Sequence, residues 1–144
     1  MVDIVFEFDV NAPPDKVYKA VTEEAGYKGW WTTSSAIKPQ VGSKAEFKLK
    51  DNGQEVVFQT EVTQLEKDKS FAMTVKNAAP PDWPGTKIAV SMAPSPQGTH
   101  VVFSHSGFPS TGGSYGYTNY NWGFFMGSLK AFAETGKGMP YQYQ

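Results

Sequence analysis

Two histidines, His100 and His105, are the side chains best suited to proton chemistry near neutral pH, and they lie five residues apart in an alternating segment that reads as one strand. An odd spacing puts them on opposite faces of a sheet, so they cannot share a metal or act on one bond. Parity turns His105 inward, beside a glycine-rich stretch carrying Tyr115, Tyr117 and Tyr120, where it could serve as a base or hydrogen-bond the polar end of a ligand. The plainer reading is a hydrogen-bonded core histidine. His100 reads as exposed. Most carboxylates fall in turns or on outward parity (Asp9, Glu46, Asp51, Glu55, Glu61, Glu66, Asp68), so no inward pair supports glycosidase or aspartic chemistry. The chain has no cysteine and no phosphate-binding glycine loop with lysine. These residues name no catalytic group and no metal ligand set, and we expect no cofactor.

The elements that must position His105 follow from periodicity. Val2 to Val10 alternates as a half-buried strand, and Asn11-Ala-Pro-Pro ends it and opens a short helix with Val17, Ala20 and Val21 on one stripe. Thr22 is the expected N-cap of a second short helix, stopped by Gly26 or Gly29, before the tryptophan pair Trp30-Trp31. Strands are expected near 43–50, 54–65, 69–76, 86–93 and 99–106, joined as a meander by turns such as Asp51-Asn52-Gly53. The proline-rich stretch 77–85, with Trp83, reads as an ordered loop. Residues 107–119, rich in glycine and tyrosine, read as a mobile lid. From Tyr120 to Gly138 the apolar residues Trp122, Phe125, Met126, Leu129, Phe132 and Ala133 form one helical stripe, which an antiparallel sheet with one wet face would bury.

This is an α+β arrangement: a curved antiparallel sheet wrapped around a long C-terminal helix, with two short helices near the N-terminus. Its 144 residues suit one domain spanning 1–144. A long helix across a curved sheet leaves a gap, and the residues expected to line it are Trp31, Phe47, Phe58, Met73, Trp83, Met92, Phe103, His105, Tyr120, Trp122, Phe125, Met126 and Leu129. Each taken alone reads as ordinary core. Aromatic residues make up 15% of the chain against three leucines, so rings fill much of the interior. The 13 basic residues are all lysines, scattered and balanced by 14 acidic ones, which argues against a nucleic-acid partner. No basic leader precedes an apolar block and no apolar run is long enough to cross a bilayer, so we expect a cytoplasmic protein without membrane insertion.

The strand followed by APPDKVYKAVT (12–22), the GWW at 29–31, GTHVVFSHSGF (98–108) and the closing ETGKGMPY (134–141) resemble the START-like, or Bet v 1-like (SRPBCC), superfamily. Within it they are most similar to the branch of heat-shock ATPase activator homologue-like proteins. The resemblance implies a helix-grip fold over almost the whole chain. Superfamily members include lipid carriers, hormone receptors, polyketide cyclases and co-chaperones, so fold alone does not select among activities. The expected function is binding of a small, largely apolar ligand, lipid, polyketide or flavonoid-like, between sheet and helix. The alternatives are a chaperone-accessory or stress-response module whose partner is a chaperone or other protein, and a cyclase- or hydrolase-type enzyme using His105 with Tyr115 or Tyr120.

Overall fold

The computed structural model describes residues 1–143. The elements run β1 (Val2–Val10), α1 (Pro14–Thr22), α2 (Glu24–Trp30), β2 (Ser34–Ala36), β3 (Lys44–Asp51), β4 (Gln54–Glu66), β5 (Ser70–Ala78), β6 (Lys87–Ser95), β7 (Gly98–Phe108) and α3 (Tyr115–Thr135). The strands form one antiparallel sheet in the order β1-β7-β6-β5-β4-β3-β2, so β3 to β7 are the expected meander and β1 closes against β7. The β4–β5 pairing carries two bulges, with Lys76 the extra residue on β5 and Thr63 on β4, which bend and twist this part of the sheet. The helix-grip fold is therefore present.

Local chemistry explains the turns. Asn52 and Gly53 both take positive φ, the type I′ signature that matches strand twist in a two-residue hairpin. Gly98 sits at φ 141°, and a Cβ there would lie 2.7 Å from backbone atoms of Val10 and Ala12, so the β6–β7 turn packs directly on the end of β1. Inward parity holds along the meander: Ala45, Phe47, Phe58, Val62, Phe71, Met73, Val75, Ile88, Val90, Met92, Val101 and Phe103 are all buried.

Three local expectations are corrected. Thr22 ends α1 and caps nothing, because its hydroxyl donates to Tyr18 O at 2.7 Å, and Glu23, extended at φ −112°, ψ 148°, breaks the chain between α1 and α2. The short strand β2 was not anticipated; Ser-Ser-Ala carries no strand signal, and pairing with Glu46–Lys48 of β3 makes it. The long lid is absent. β7 continues to Phe108 and α3 begins at Tyr115, five residues before the expected start, leaving only 109–114 as connection. That helix start is imposed from outside, since the Asp82 carboxylate accepts both the Ser114 amide (2.9 Å) and its hydroxyl (2.6 Å).

Candidate functional site

Between the concave sheet and the N-terminal half of α3 lies a cavity of about 430 Å3. Trp31, Phe58, Trp83, Trp122 and Phe125 line it, with Leu49 and Val56 from β3 and β4. Its walls form a box of rings: Trp31 stands 5.0 Å from Trp122 and 5.5 Å from Phe58, Phe58 stacks on Trp83 at 4.5 Å, and Trp83 lies nearly parallel to Trp122 at 6.3 Å. Each ring is fixed by its element. Trp31 follows α2, whose Trp30 indole N–H is held by Ala20 O at 2.8 Å. Trp83 is delivered by the 79–86 loop and donates its indole N–H to Thr118 Oγ1 of α3 at 3.1 Å. The proline-rich loop thus builds one wall.

Polar groups sit at the rim. Asp51, Ser114, Tyr117, Asn121 and Tyr141 reach the cavity alongside its apolar walls, so an apolar body could be buried while one polar end stays near water. The C-terminal segment closes this side: Tyr141 donates its amide to Trp31 O at 2.6 Å and accepts from Thr33 N at 3.1 Å.

The remaining expected site residues lie elsewhere. Phe47, Met73, Met92, Phe103, Met126 and Leu129 are buried, inward and part of the packed core behind the cavity wall. Tyr120 is 80% exposed on the opposite side of α3 and faces no cavity. Leu49 and Val56, which parity turns inward, line the cavity, and so does Tyr117 of the glycine- and tyrosine-rich stretch; Asn121 and Tyr141 join them with no period or motif in the sequence to mark them.

His105 is buried with both ring nitrogens engaged. Trp122 donates to Nδ1 at 3.0 Å, Nε2 lies 2.8 Å from Thr86 Oγ1, and that hydroxyl donates to Trp83 O at 2.5 Å. The chain closes only if Nε2 carries the proton, giving a neutral imidazole whose donor and acceptor are both used. Burial pushes its pKa down to about 3, while the Asp82 charge works weakly the other way. The ring stands edge-on to Trp83 at 4.7 Å and at 4.5 Å from Phe108, so it braces the back of the box. The acid–base pair expected with Tyr115 or Tyr120 is not assembled, because the Tyr115 hydroxyl donates to Asp3 O at 2.9 Å and Tyr120 points to solvent. No group of three or more metal-ligating side chains occurs among the described residues, and no helix there is long and apolar enough to cross a membrane.

Comparison with known proteins matches these features to others. A family model described as activator of Hsp90 ATPase homolog 1-like protein matches residues 11–134. Comparison with curated proteins gives no match. The solution structure of an Aha1 dimer from Colwellia psychrerythraea is similar at 32% identity and a TM-score of 0.79, covering 96% of this chain and all of that one. A crystal structure of a Mesorhizobium loti protein matches at 27% identity and a TM-score of 0.77, covering 90% of this chain and 94% of that one. At 21% identity, a putative protein of the dynemicin biosynthetic locus shares the fold with a TM-score of 0.77, over 99% of this chain and 51% of its own length.

Proposed function

We propose that this chain, which belongs to the activator of Hsp90 ATPase homolog 1-like family, acts as one ligand-binding domain that takes a small, largely apolar, ring-bearing molecule between its sheet and α3. The observation that carries this reading is the aromatic box itself, a cavity of about 430 Å3 walled by three tryptophans and two phenylalanines, with Asp51, Ser114, Tyr117, Asn121 and Tyr141 at its rim and Thr118 as its buried polar residue. That volume falls within the roughly 300–1,000 Å3 of small-molecule sites. Burial of apolar ligand surface, at about 25 cal/mol per Å2, would supply the affinity. The rim groups would orient one polar end. Lipid, polyketide and flavonoid-like molecules all have this division of character.

An amide NMR titration against fatty acids, sterols and aromatic polyketide-like compounds tests it. The expected outcome is shifts clustered on Trp31, Phe58, Trp83, Trp122 and Phe125. Silence from every class would sink the ligand reading and favour the chaperone-accessory role that the family description brings to mind. A second reading concerns assembly. The Colwellia relative is described as a dimer, and we infer that this chain also self-associates, as the large aromatic side chains left in solvent on α3 favour.

A further inference from the structure

The geometry of α3 points to its outer face, between Gly116 and Ala131, as the surface on which a second copy of this chain docks; the inference rests on the self-association reading above. From Tyr115 to Leu129 the helix carries no Asp, Glu, Lys, Arg or His, and the first charge is Lys130. Its inward stripe is accounted for by Thr118, Trp122, Phe125, Met126 and Leu129, all buried. A helix face turned to water normally carries charge, and a helix apolar on every side is normally covered. Here the outward positions are Tyr117 and Tyr120, each 80% exposed, and Phe124, 51% exposed, with the exposed Gly116, Gly123 and Gly127 on the same face and the uncharged Asn119 and Asn121 at its margins. A Cβ added at Gly116 or Gly127 would meet nothing within 4 Å. The face therefore presents rings beside hollows, a shape into which the rings of an identical face can be received.

Charge and symmetry select a second copy as the occupant. A two-fold contact sets each patch against itself, so any charge near the axis would meet its own image, and this patch has none. The competing self-contact is the outer edge of β1, at the end of the sheet, where Tyr115 and Lys130 of α3 already donate to the Asp3 and Asp9 carbonyls. There Asp3, Glu7 and Asp9 line the exposed face, and antiparallel pairing of two such edges would set carboxylates against carboxylates. Three rings of about 150–250 Å2 each fall short of the roughly 800 Å2 per partner of a standard interface. Association is accordingly weak and concentration-dependent. Because Tyr117 also lines the cavity rim, the partner copy would sit beside the ligand's way in.

Sedimentation velocity over a concentration series distinguishes the possibilities, using the whole chain, the double variant Tyr120→Glu/Phe124→Glu, and Val5→Glu on the exposed face of β1. The expected result is a monomer–dimer equilibrium in the parent and in Val5→Glu, with the double variant monomeric throughout and its circular dichroism unchanged. A double variant that dimerises like the parent overturns the α3 face while leaving self-association standing. A parent that stays monomeric at every concentration overturns both. Should the double variant fail to fold, the absence of native cysteine allows Gly127→Cys and a control, Glu61→Cys, to be oxidised side by side. Covalent pairs at Gly127 and none at Glu61 support the contact; equal yields overturn it.

Discussion

The two histidines respond to pH with opposite sign. His105 is held neutral at about 3 in the folded protein, whereas an unfolded histidine titrates near 6.5. Between those values the unfolded chain binds the extra proton, so stability falls as pH drops through that window. The full effect has a ceiling of about 5 kcal/mol, of which roughly 2 kcal/mol is due between pH 7 and pH 5. His100 behaves the other way: hydrogen bonds to Asp9 and then Glu7 raise its pKa, so its contribution is present at low pH and lost as pH rises through the raised value. It is exposed, and salt screens it. Urea unfolding in high salt at pH 7 and pH 5 should therefore report His105, with the loss flattened in His105→Gln, which accepts no proton in this range. Equal losses in parent and variant would remove His105 as the cause. Gly26 offers a steric test, since a Cβ there would fall 2.6 Å from backbone atoms of Lys19 and Ala20. Gly26→Ala should lower stability by about 1–3 kcal/mol in the same assay, and a neutral result would mean that α1 and α2 are not locked together.

At the scale of elements, the start of α3 depends on a residue 32 positions upstream. Asp82 accepts two hydrogen bonds from Ser114 at the positive end of the helix, and these bonds hold its carboxyl below the usual range although burial acts to raise it. Asp82→Ala should cost about 1–2 kcal/mol and fray 115–119. Hydrogen exchange of the Thr118 and Asn119 amides, read against those of Leu129 and Phe132, checks this; uniform protection would refute it. The same contact explains why the sequence misplaces the element. Gly, Tyr, Thr and Asn have poor helix propensity, so 115–119 read as loop until a distant carboxylate is set beside them. Strands β3 to β7 are legible because period-two alternation is local, and parity places most of their buried residues on the correct face, Ala72 and Phe108 being buried against it. Parity says inward, however, and not inward toward what. Trp31, Phe58 and Trp122 border the cavity while Phe47, Met73 and Phe103, equally inward, pack behind it, a distinction set by the bend of the sheet and the angle of α3. Tyr120 differs from its expected inward placement for a related reason. It lies two residues before Trp122, about 200° around the helix, and so turns away from the box.

For the molecule as a whole, the C-terminal segment joins the two sides of the cavity. Met139 donates its amide to Ser128 Oγ of α3 at 2.7 Å, Tyr141 bridges Trp31 O and Thr33 N, and Tyr143 bonds Thr33 Oγ1 and Glu55 while Lys50 sits 5.1 Å over its ring. None of 139–143 is fully buried, so little apolar packing depends on this strap. Yet the Tyr141 ring borders the cavity beside Trp31. A chain cut before Met139 should keep its fold and near-parent melting temperature while exchanging ligand faster, because the box loses one wall and the barrier it presents. Stopped-flow tryptophan fluorescence with a ligand from the NMR panel separates the outcomes. Association and dissociation should both quicken. Since ligand stabilises the folded state by RT ln(1 + [L]/Kd), about 2.7 kcal/mol at a hundredfold excess over Kd, the truncated chain should also gain less on heating with ligand at equal concentration wherever dissociation quickens more than association. Unchanged rates would show that ligand enters past Tyr117 and Asn121 instead, and would make the rim of α3, beside the face proposed for a partner copy, the gate.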